Sequence, residues 1–282
     1  MTFWLNGEWR DDATAIRIDD RGLLLGDGAF ETVLVRNGAP AFLDRHLQRL
    51  ENALAVLSID ASPPQTLRAI IRDLALKNDV NDRDAVLRMT ITRGPGARGL
   101  GAAGAVSPTT LMTLTRSSPA TKERRLIVSE FMRSVAGLAA TFKAPAYIDN
   151  ILAYNDALAN GADDAVMLNV DGAVACATTA NVFVIGESGV VSTPPATDGA
   201  LPGVVRGVLL ECAGAVGVNL VEKSLSPDEL QGGAVFLTNS LIGLTPARVG
   251  ASADVSRNEI FKRLVSCYET ALANDLRQAG ET

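Results

Sequence analysis

The sequence has little histidine and little cysteine. His46 is the only histidine among the 282 residues, which excludes a Ser-His-Asp hydrolase unless His46 serves it. The three cysteines, Cys176, Cys212 and Cys267, form no Cys-x-x-Cys pair, so we expect no zinc site or other metal site. Their odd number and unrelated settings predict a reduced, cytoplasmic protein without a disulfide framework.

Long hydrophobic runs and an excess of positive charge are also absent. No apolar run reaches about 18 uncharged residues, so we predict no membrane span. The first 20 residues contain four aspartates and no apolar segment, so we expect no signal peptide. The net charge of −6 disfavours nucleic acid as the main partner. Hydrophobic residues make up 47% of the chain, enough for one large domain or two ordinary ones.

The pattern of apolar residues predicts strands and helices that mix without strict alternation. This favours two α+β domains over a doubly wound sheet. A polar segment with one proline, 116–122, divides the chain into an N-terminal domain, 1–115, and a C-terminal domain, 123–282.

Alternation and turn residues predict the individual elements. We expect a hairpin at 3–9 and a loop at 21–28. The remaining predicted strands are 29–36, 84–93, 109–115, 125–130, 164–170, 181–185, 189–192, 219–223 and 234–238. The predicted helices are 44–57 (capped by Asp44), 65–78, 148–160, 203–217, 227–230 and 257–278.

One lysine, Lys143, stands between an apolar approach at 135–142 and an apolar, helix-like run at 148–158. Burying an ammonium group is costly unless it is paired or loses its proton. A desolvated, neutral amine can attack an aldehyde to form a Schiff base. The alternative is a lysine at a helix start whose ammonium group reaches water.

Four further segments suit anions. Leu201-Pro202-Gly203 opens a helix, and the N-terminus of a helix attracts negative charge. Thr238-Asn239-Ser240 follows a strand and offers hydroxyl and amide donors, while Arg49 and the 93–99 loop with Arg98 offer guanidinium groups. Each segment alone is also explained as an ordinary turn or a solvated cation. Together with Lys143 they suggest pyridoxal 5'-phosphate, a phosphorylated aldehyde.

The chain resembles the class IV, or fold-type IV, pyridoxal-phosphate enzymes. These are D-amino-acid aminotransferase, branched-chain aminotransferase and aminodeoxychorismate lyase. The resemblance covers nearly the whole length. Its motifs are Gly26-Asp27-Gly28-Ala29-Phe30-Glu31-Thr32, His46-x-x-Arg49-Leu50, Thr92-Arg93-Gly94 with Arg98, Lys143 with Tyr147 and Asn150, Asn181-Val182-Phe183, Leu201-Pro202-Gly203-x-x-Arg206 and Thr238-Asn239-Ser240.

The resemblance implies a role for each matching residue. It makes Lys143 the Schiff-base lysine and general acid/base, and Arg49 the phosphate arginine. Val204, Val205 and Ser240 would complete the phosphate cradle, Tyr147 would reach the ring oxygen, and Arg98 and Phe30 would face the substrate. The histidine that assists the carboxylate-binding arginine in D-amino-acid aminotransferase is Leu100 here.

Two positions depart from the family pattern. Cys176 stands where the family has a glutamate facing the pyridine nitrogen, so a neutral thiol replaces a carboxylate. Val205 stands where the family usually has threonine, so one phosphate-binding hydroxyl is lost.

The resemblance implies two α+β domains with the cofactor in the cleft between them, in a homodimer. It implies transfer of an amino group between an amino acid and a 2-oxo acid. A first alternative is the pyruvate-eliminating reaction of 4-amino-4-deoxychorismate lyase. A second alternative, motivated by Cys176, is a cofactor-binding protein of low activity.

Overall fold

The computed structural model describes residues 1–12, 16–101, 107–117, 122–133 and 142–281. The predicted apolar approach to Lys143 at 135–141, and part of the predicted linker at 118–121, lie outside the described residues. None of the helices in the described part of the chain is long and apolar enough to cross a membrane.

The chain folds into two compact units. One contains Met1–Ser118, Phe142–Ala146 and Asp275–Thr282, and the other contains Pro119–Thr141 and Tyr147–Asn274. We predicted Lys143 within the C-terminal domain, but the segment that carries it packs with the first unit.

The first unit is built on a six-stranded sheet with the order β2-β1-β6-β5-β3-β4. All its paired strands are antiparallel, and β3 pairs with β5 along nine residues. Its strands are β1 (Phe3–Leu5), β2 (Glu8–Arg10), β3 (Gly28–Arg36), β4 (Ala39–Pro40), β5 (Asp84–Thr92) and β6 (Thr109–Arg116). Its helices are α1 (Arg21–Leu25), α2 (Leu43–Leu57) and α3 (Leu67–Lys77).

The core of this unit lies on one face of the sheet. Side chains alternate along a strand, so Val33, Val35 and Leu87 point to the same face, where α2 and α3 cover them. Helix α2 begins after Phe42, whose backbone N–H donates to Asp275. The prediction that Asp44 caps this helix is therefore wrong, and Asp44 lies in the first turn.

A short helix replaces the loop predicted at 21–28. The side chain of Asp20 accepts a hydrogen bond from the backbone N–H of Gly22, so it caps the first turn of α1. The helix ends at Gly26, whose left-handed backbone (φ 68°) suits a glycine. The helix has five residues, one of them Gly22, which is too short a pattern for a helix to be predicted.

The second unit is built on an eight-stranded mixed sheet with the order β12-β11-β10-β13-β14-β7-β8-β9. Strands β14, β7 and β8 are parallel neighbours, and so are β11 and β12. The strands are β7 (Arg124–Val128), β8 (Asp164–Leu168), β9 (Val174–Ala177), β10 (Asn181–Ile185), β11 (Val191–Thr193), β12 (Leu220–Glu222), β13 (Ala234–Asn239) and β14 (Gly243–Val249). The helices are α4 (Ile148–Ala159), α5 (Val204–Cys212), α6 (Pro227–Gly232) and α7 (Glu259–Glu281).

Two strands of this sheet were not predicted. Strand β9 has four consecutive buried residues and no alternation. Strand β14 contains Pro246, which pairs opposite Phe236, and a proline argues against a central strand. Mixed helices and two sheets confirm the predicted α+β class.

The prediction of no disulfide was wrong. Cys212, at the end of α5, is bonded to Cys267 of α7, with the two Cα atoms 6.3 Å apart. The two cysteines are separated by 55 residues, so their spacing gave no signal of pairing. Cys176 is free and buried.

Candidate active site

A buried carboxylate in the first unit holds two basic side chains. Glu31 points from β3 toward α2, because it shares the core-facing alternation of Val33 and Val35. His46 and Arg49 lie three residues apart on α2, so both reach the same carboxylate. Arg49 donates from Nε and Nη2 to the two oxygens of Glu31 at 2.7 Å, and His46 Nδ1 lies 2.6 Å from Glu31 Oε2. The carboxylate therefore fixes the plane of the guanidinium group.

The surroundings decide which groups of this cluster carry charge. Burial favours the neutral acid and raises the pKa of Glu31, but hydrogen bonds and charge from Arg49 and His46 outweigh it and lower the pKa to about 2. Burial also lowers the pKa of His46, and the positive charges of Arg49 and Lys143 lower it further, against the opposing effect of Glu31. At neutral pH the cluster thus contains an ionised Glu31 and a neutral imidazole that donates from Nδ1.

Lys143 lies against the same strand. Its carbonyl oxygen accepts a 2.9 Å hydrogen bond from the backbone N–H of Phe30. Its Nζ lies 4.8 Å from the centroid of the Phe30 ring, and its charge acts on His46. The predicted lysine, the predicted phosphate arginine and Phe30 are therefore brought together at one end of β3.

A second set of ion pairs anchors the loop that carries Arg98. The buried guanidinium of Arg21 donates to Asp27 at 2.8 Å and to the carbonyls of Gly99 and Leu100 at 2.9 and 3.0 Å. Arg93 donates to the same Asp27 carboxylate, and both arginines lower its pKa against the effect of burial. Arg98 itself is exposed at the tip of this loop.

The second unit places Tyr147 at the start of α4, followed one turn later by the buried Asn150. Asn150 donates to the carbonyl of Thr178 at 2.7 Å and accepts a long hydrogen bond of 3.4 Å from Arg133 Nη1. The Nε atom of Arg133 is buried and has no hydrogen-bond partner among the described residues. An N–H donor at this point is thus available to an acceptor.

Cys176 lies beside these groups on β9. Burial raises the pKa of its thiol to about 11, against the opposing charge of Arg133, while the charge of Asp164 acts in the same direction as burial. The Asp164 carboxylate already accepts from Thr178 Oγ1 at 2.6 Å and from the Ala165 amide. Cys176 is therefore a neutral thiol at neutral pH, as expected from the sequence.

The N-terminus of α5 has the character of an anion cradle. In the described structure no side chain caps its first turn and no acidic residue lies there, so the first amides and the helix dipole face outward. Asn181 holds the preceding loop through a 2.8 Å hydrogen bond to the carbonyl of Leu201. A Cβ atom at Gly203 would collide with Asn181 Oδ1, so a larger residue there would displace the amide that holds Leu201. Val204 and Val205 are the first residues of the helix.

The polar segment after β13 forms a turn held by its own asparagine. Asn239 Oδ1 accepts from the amides of Leu241 and Ile242 at 2.9 Å, which shapes the turn that carries Ser240. The preceding Thr238 is fully buried, and its Oγ1 has no hydrogen-bond partner within the part of the chain that the structure describes. A buried hydroxyl without a partner is costly, so it suits a site for a polar ligand.

The predicted site residues divide between the two units. Lys143, Arg49, Phe30 and Arg98 belong to the first unit, where Arg98 lies on an exposed loop. The second unit contains Tyr147, Cys176, Val204, Val205 and Ser240. The described residues contain no group of three or more His, Cys, Asp or Glu side chains arranged to hold a metal ion.

Sequence reasoning missed Glu31 and Arg133 as site residues. The signal for Glu31 was present, because a carboxylate at a core-facing position of an apolar strand needs basic partners. His46 and Arg49 at helical spacing supply them. No local pattern marks Arg133, whose position beside Cys176 depends on how β7 and β9 meet β8 in the sheet.

Comparison with known families gives a match over most of the chain. The family model described as amino-transferase class IV matches residues 28–249. The chain is 32% identical over 253 residues to a putative branched-chain-amino-acid aminotransferase of Methanocaldococcus jannaschii, covering 87% of this chain and 86% of that protein. It is 30% identical over 256 residues to an aminodeoxychorismate lyase of Bacillus subtilis, covering 86% and 84% of the two chains.

A solved structure shares the fold. The crystal structure of the Escherichia coli branched-chain amino acid aminotransferase superposes with a TM-score of 0.87, covering 97% of this chain and 95% of that one. The two sequences are 23% identical, so this similarity speaks for the fold alone. It confirms the predicted two-domain fold of type IV.

Proposed function

Because the chain belongs to the class IV aminotransferase family, whose members are enzymes dependent on pyridoxal phosphate, we propose that it moves an amino group between an amino acid and a 2-oxo acid. The observation that carries the proposal is the position of Lys143. Its amine lies over the Phe30 ring and acts electrostatically on the cluster of Glu31, His46 and Arg49.

The described residues fit pyridoxal 5'-phosphate. An anion needs amide and hydroxyl donors. Among the described residues, the first turn of α5 has no side-chain cap and Thr238 Oγ1 has no hydrogen-bond partner, so they supply both kinds. Arg49 adds a guanidinium group whose plane Glu31 fixes. We propose that Arg49, Val204, Val205 and Ser240 bind the phosphate. The loss of a hydroxyl at Val205 leaves the backbone N–H available.

Each residue then has a part in the reaction. When bound, pyridoxal phosphate supplies an electron sink for the electrons left at the substrate Cα. Lys143 would hold the cofactor through its amine and, once the substrate amine has displaced Nζ, would move the proton from the substrate Cα to the cofactor. Tyr147 and Cys176 contact the cofactor ring, and Phe30 lines the substrate side. The resemblance assigns the substrate carboxylate to Arg98.

The lyase reaction is the second candidate. The 30% identity to an aminodeoxychorismate lyase over 86% of the chain supports it, and Lys143 would hold the same cofactor and move a proton during loss of pyruvate. A third possibility is a cofactor-binding protein of low activity. The neutral Cys176 supports it, because a thiol supplies no charge to keep a ring nitrogen protonated.

One experiment tests the cofactor and the lysine together. The protein, incubated with pyridoxal phosphate, is expected to absorb near the visible–ultraviolet boundary and to retain the label after borohydride reduction. Peptide mapping is expected to place the label on Lys143, and Lys143→Ala is expected to lose it. A label on Lys122 or Lys223 would contradict the assignment.

A substrate panel separates the candidate reactions. D-Alanine and L-leucine with a 2-oxo acid acceptor test amino-group transfer, and aminodeoxychorismate tests elimination through release of pyruvate. We expect transfer with at least one amino acid. Pyruvate release from aminodeoxychorismate without transfer would favour the lyase, and cofactor binding without either product would favour the protein of low activity.

We also propose a homodimer in the cytoplasm, as the family resemblance and the composition imply. Sedimentation analysis of the purified protein tests the dimer. The Cys212–Cys267 bond bears on the location, because disulfides are rare in a reducing cytosol. Alkylating the protein inside the producing cells and then counting its free thiols distinguishes a reducing from an oxidising compartment. A cytoplasmic chain is expected to keep all three thiols reduced.

A further inference from the structure

Arg133 is fixed beside Cys176 at two points. Its backbone N–H donates to the carbonyl of Leu168 at 2.7 Å, and the strand that ends at Leu168 pairs with the strand of Cys176. Its Nη1 atom lies 3.4 Å from the side-chain oxygen of Asn150, whose amide donates to the carbonyl of Thr178. The guanidinium group is thus held between two segments that flank Cys176, and its charge acts on that thiol.

The Nε atom of Arg133 is a buried donor that lacks an acceptor. It has no hydrogen-bond partner among the described residues. A buried N–H without an acceptor is costly, and more so when it belongs to a charged group. A guanidinium group has donors only and keeps its protons, so an acceptor atom is what this position requires.

The neighbouring side chains do not supply that acceptor. The carboxylate of Asp164, whose charge also acts on Cys176, already has other partners. Its Oδ1 accepts from Thr178 Oγ1 at 2.6 Å and from the Ala165 amide, and its Oδ2 lies 3.8 Å from Arg124. The neutral thiol of Cys176 is a weak acceptor. A bound molecule with an acceptor atom would therefore complete this group.

We propose that Nε of Arg133 donates a hydrogen bond to the pyridine nitrogen of bound pyridoxal phosphate. This inference rests on the proposed function, in which Cys176 contacts the cofactor ring. An unprotonated pyridine nitrogen is an acceptor, whereas a protonated one is a donor and would face another donor here. The guanidinium group does not give up its proton, and its positive charge disfavours a second positive charge beside it. Arg133 therefore keeps the ring nitrogen unprotonated.

The test compares pyridoxal phosphate with its 1-deaza analogue, in which a C–H group replaces the ring nitrogen. Dissociation constants for both are measured by equilibrium dialysis, and their ratio in the wild type is compared with that in variants, because the two rings also differ electronically. Arg133→Leu is expected to lower the preference for pyridoxal phosphate about 10- to 150-fold, as for loss of a hydrogen bond to a charged group.

Two further variants separate the hydrogen bond from the charge. Arg133→Lys keeps a positive charge but has no Nε–H, and its preference is expected to lie between those of the wild type and Arg133→Leu. Arg125→Leu removes an exposed arginine of β7 that pairs with Asp163. It is the matched control and is expected to keep the wild-type preference.

Nitrogen NMR gives a second measurement on the wild type alone. Protein loaded with pyridoxal phosphate labelled with nitrogen-15 in the ring is expected to show, at pH 7, the chemical shift of an unprotonated pyridine. This measurement and Arg133→Lys decide the matter if Arg133→Leu does not fold.

Two results would overturn the proposal. One is a protonated ring nitrogen in the wild type. The other is an equal preference in the wild type and Arg133→Leu, which is the outcome if Arg133 only positions Asn150 or binds a water molecule. Failure of the proposed function is seen separately and earlier, because a wild-type protein that never acquires the cofactor absorbance fails before the analogue is used.

Discussion

Two buried acidic groups in this molecule have opposite ionisation states at neutral pH, one charged and one neutral. Glu31, in the first unit, has its pKa lowered to about 2, and Cys176, in the second, has its pKa raised to about 11. Burial is the largest influence on both, and it raises both pKa values. For Glu31, hydrogen bonds and charge from Arg49 and His46 outweigh the effect of burial on the pKa. For Cys176, the charge of Arg133 lowers the pKa but does not outweigh burial.

The comparison shows that direct donors, rather than burial, decide which site carries charge. The first unit presents a fixed negative carboxylate that organises an arginine. The second presents a neutral thiol beside a guanidinium group. If the cofactor ring lies beside Cys176, as proposed, its nitrogen meets no carboxylate from that residue, and the electron sink is weaker than it would be beside a carboxylate.

Removing the charge of Glu31 is expected to have the largest effect. Glu31→Gln leaves Arg49 without its buried counter-ion, which typically costs about 3–5 kcal/mol of stability. Calorimetric melting of the cofactor-free protein at pH 7 measures it. Asp84→Asn, which removes the partly exposed partner of Arg36, is the matched control with a small expected change.

The pH dependence of that stability follows from the same pKa. The folded pKa of Glu31, about 2, is below its ordinary 4.5, so its stabilisation is complete above pH 4.5 and is lost as pH falls through about 2. The lowered pKa of His46 has the same sign, because stability falls as pH drops below the ordinary 6.5. Glu31→Gln is expected to show a shallower loss below pH 4.5. An equal slope in both proteins would contradict an ionised, paired Glu31.

Removing Arg49 is expected to have the next largest effect. Arg49→Ala is predicted to weaken cofactor binding by about 2–5 kcal/mol, because the phosphate loses a charge-assisted partner. Equilibrium dialysis with pyridoxal phosphate measures the dissociation constant. Arg72→Ala, at an exposed position of α3, controls for a general loss of positive charge. An unchanged constant in Arg49→Ala would remove this residue from the site.

Cys176→Glu would make the second region resemble the first. Arg133 lies close enough to favour the new carboxylate, although Asp164 opposes it. We expect the added carboxylate to raise turnover or to shift the cofactor spectrum and its pH dependence, because a negative charge favours a protonated ring nitrogen. A rise of about tenfold in turnover corresponds to roughly 1.4 kcal/mol in the activation free energy. If the variant folds, binds cofactor normally and changes neither, Cys176 does not address the ring nitrogen.

Cys176→Ala is expected to have the smallest effect. A neutral thiol has no charge to remove, so the cofactor spectrum between pH 7 and 9 should match that of the wild type. The loss of a small buried group is expected to cost about 1 kcal/mol of stability. A spectral transition in this pH range that disappears in the variant would show that the thiol titrates there, against the raised pKa.

The sequence predicted the elements with strong patterns and missed those set by distant contacts. Strand β3, which is rich in valine and is followed by the Asn37-Gly38 turn, was predicted almost to the residue. Strand β9 was missed because Val174–Ala177 is buried on both faces. The Cys212–Cys267 bond depends on how α5 and α7 pack, which no spacing reveals.

The same division holds for the site. Lys143, Arg49 and the α5 junction were recognised because each lies in a local motif. Arg133 has no motif, since its place beside Cys176 follows from strand order. Local sequence patterns do not predict side chains whose function depends on a neighbour in another strand.

The way in which the 93–101 loop is anchored limits how that loop can be exchanged in an attempt to alter substrate specificity. Arg21 is outside the loop, yet its guanidinium holds the carbonyls of Gly99 and Leu100 and is itself tied to Asp27. Because carbonyls are present in every sequence, this anchor tolerates new side chains at Leu100, but Gly94 (φ 84°) and Gly99 (φ 110°) have backbone conformations that favour glycine. The anchor does not tolerate a change of loop length that moves those two carbonyls. Graft libraries should therefore vary residues while conserving the number of residues between Arg93 and Leu100.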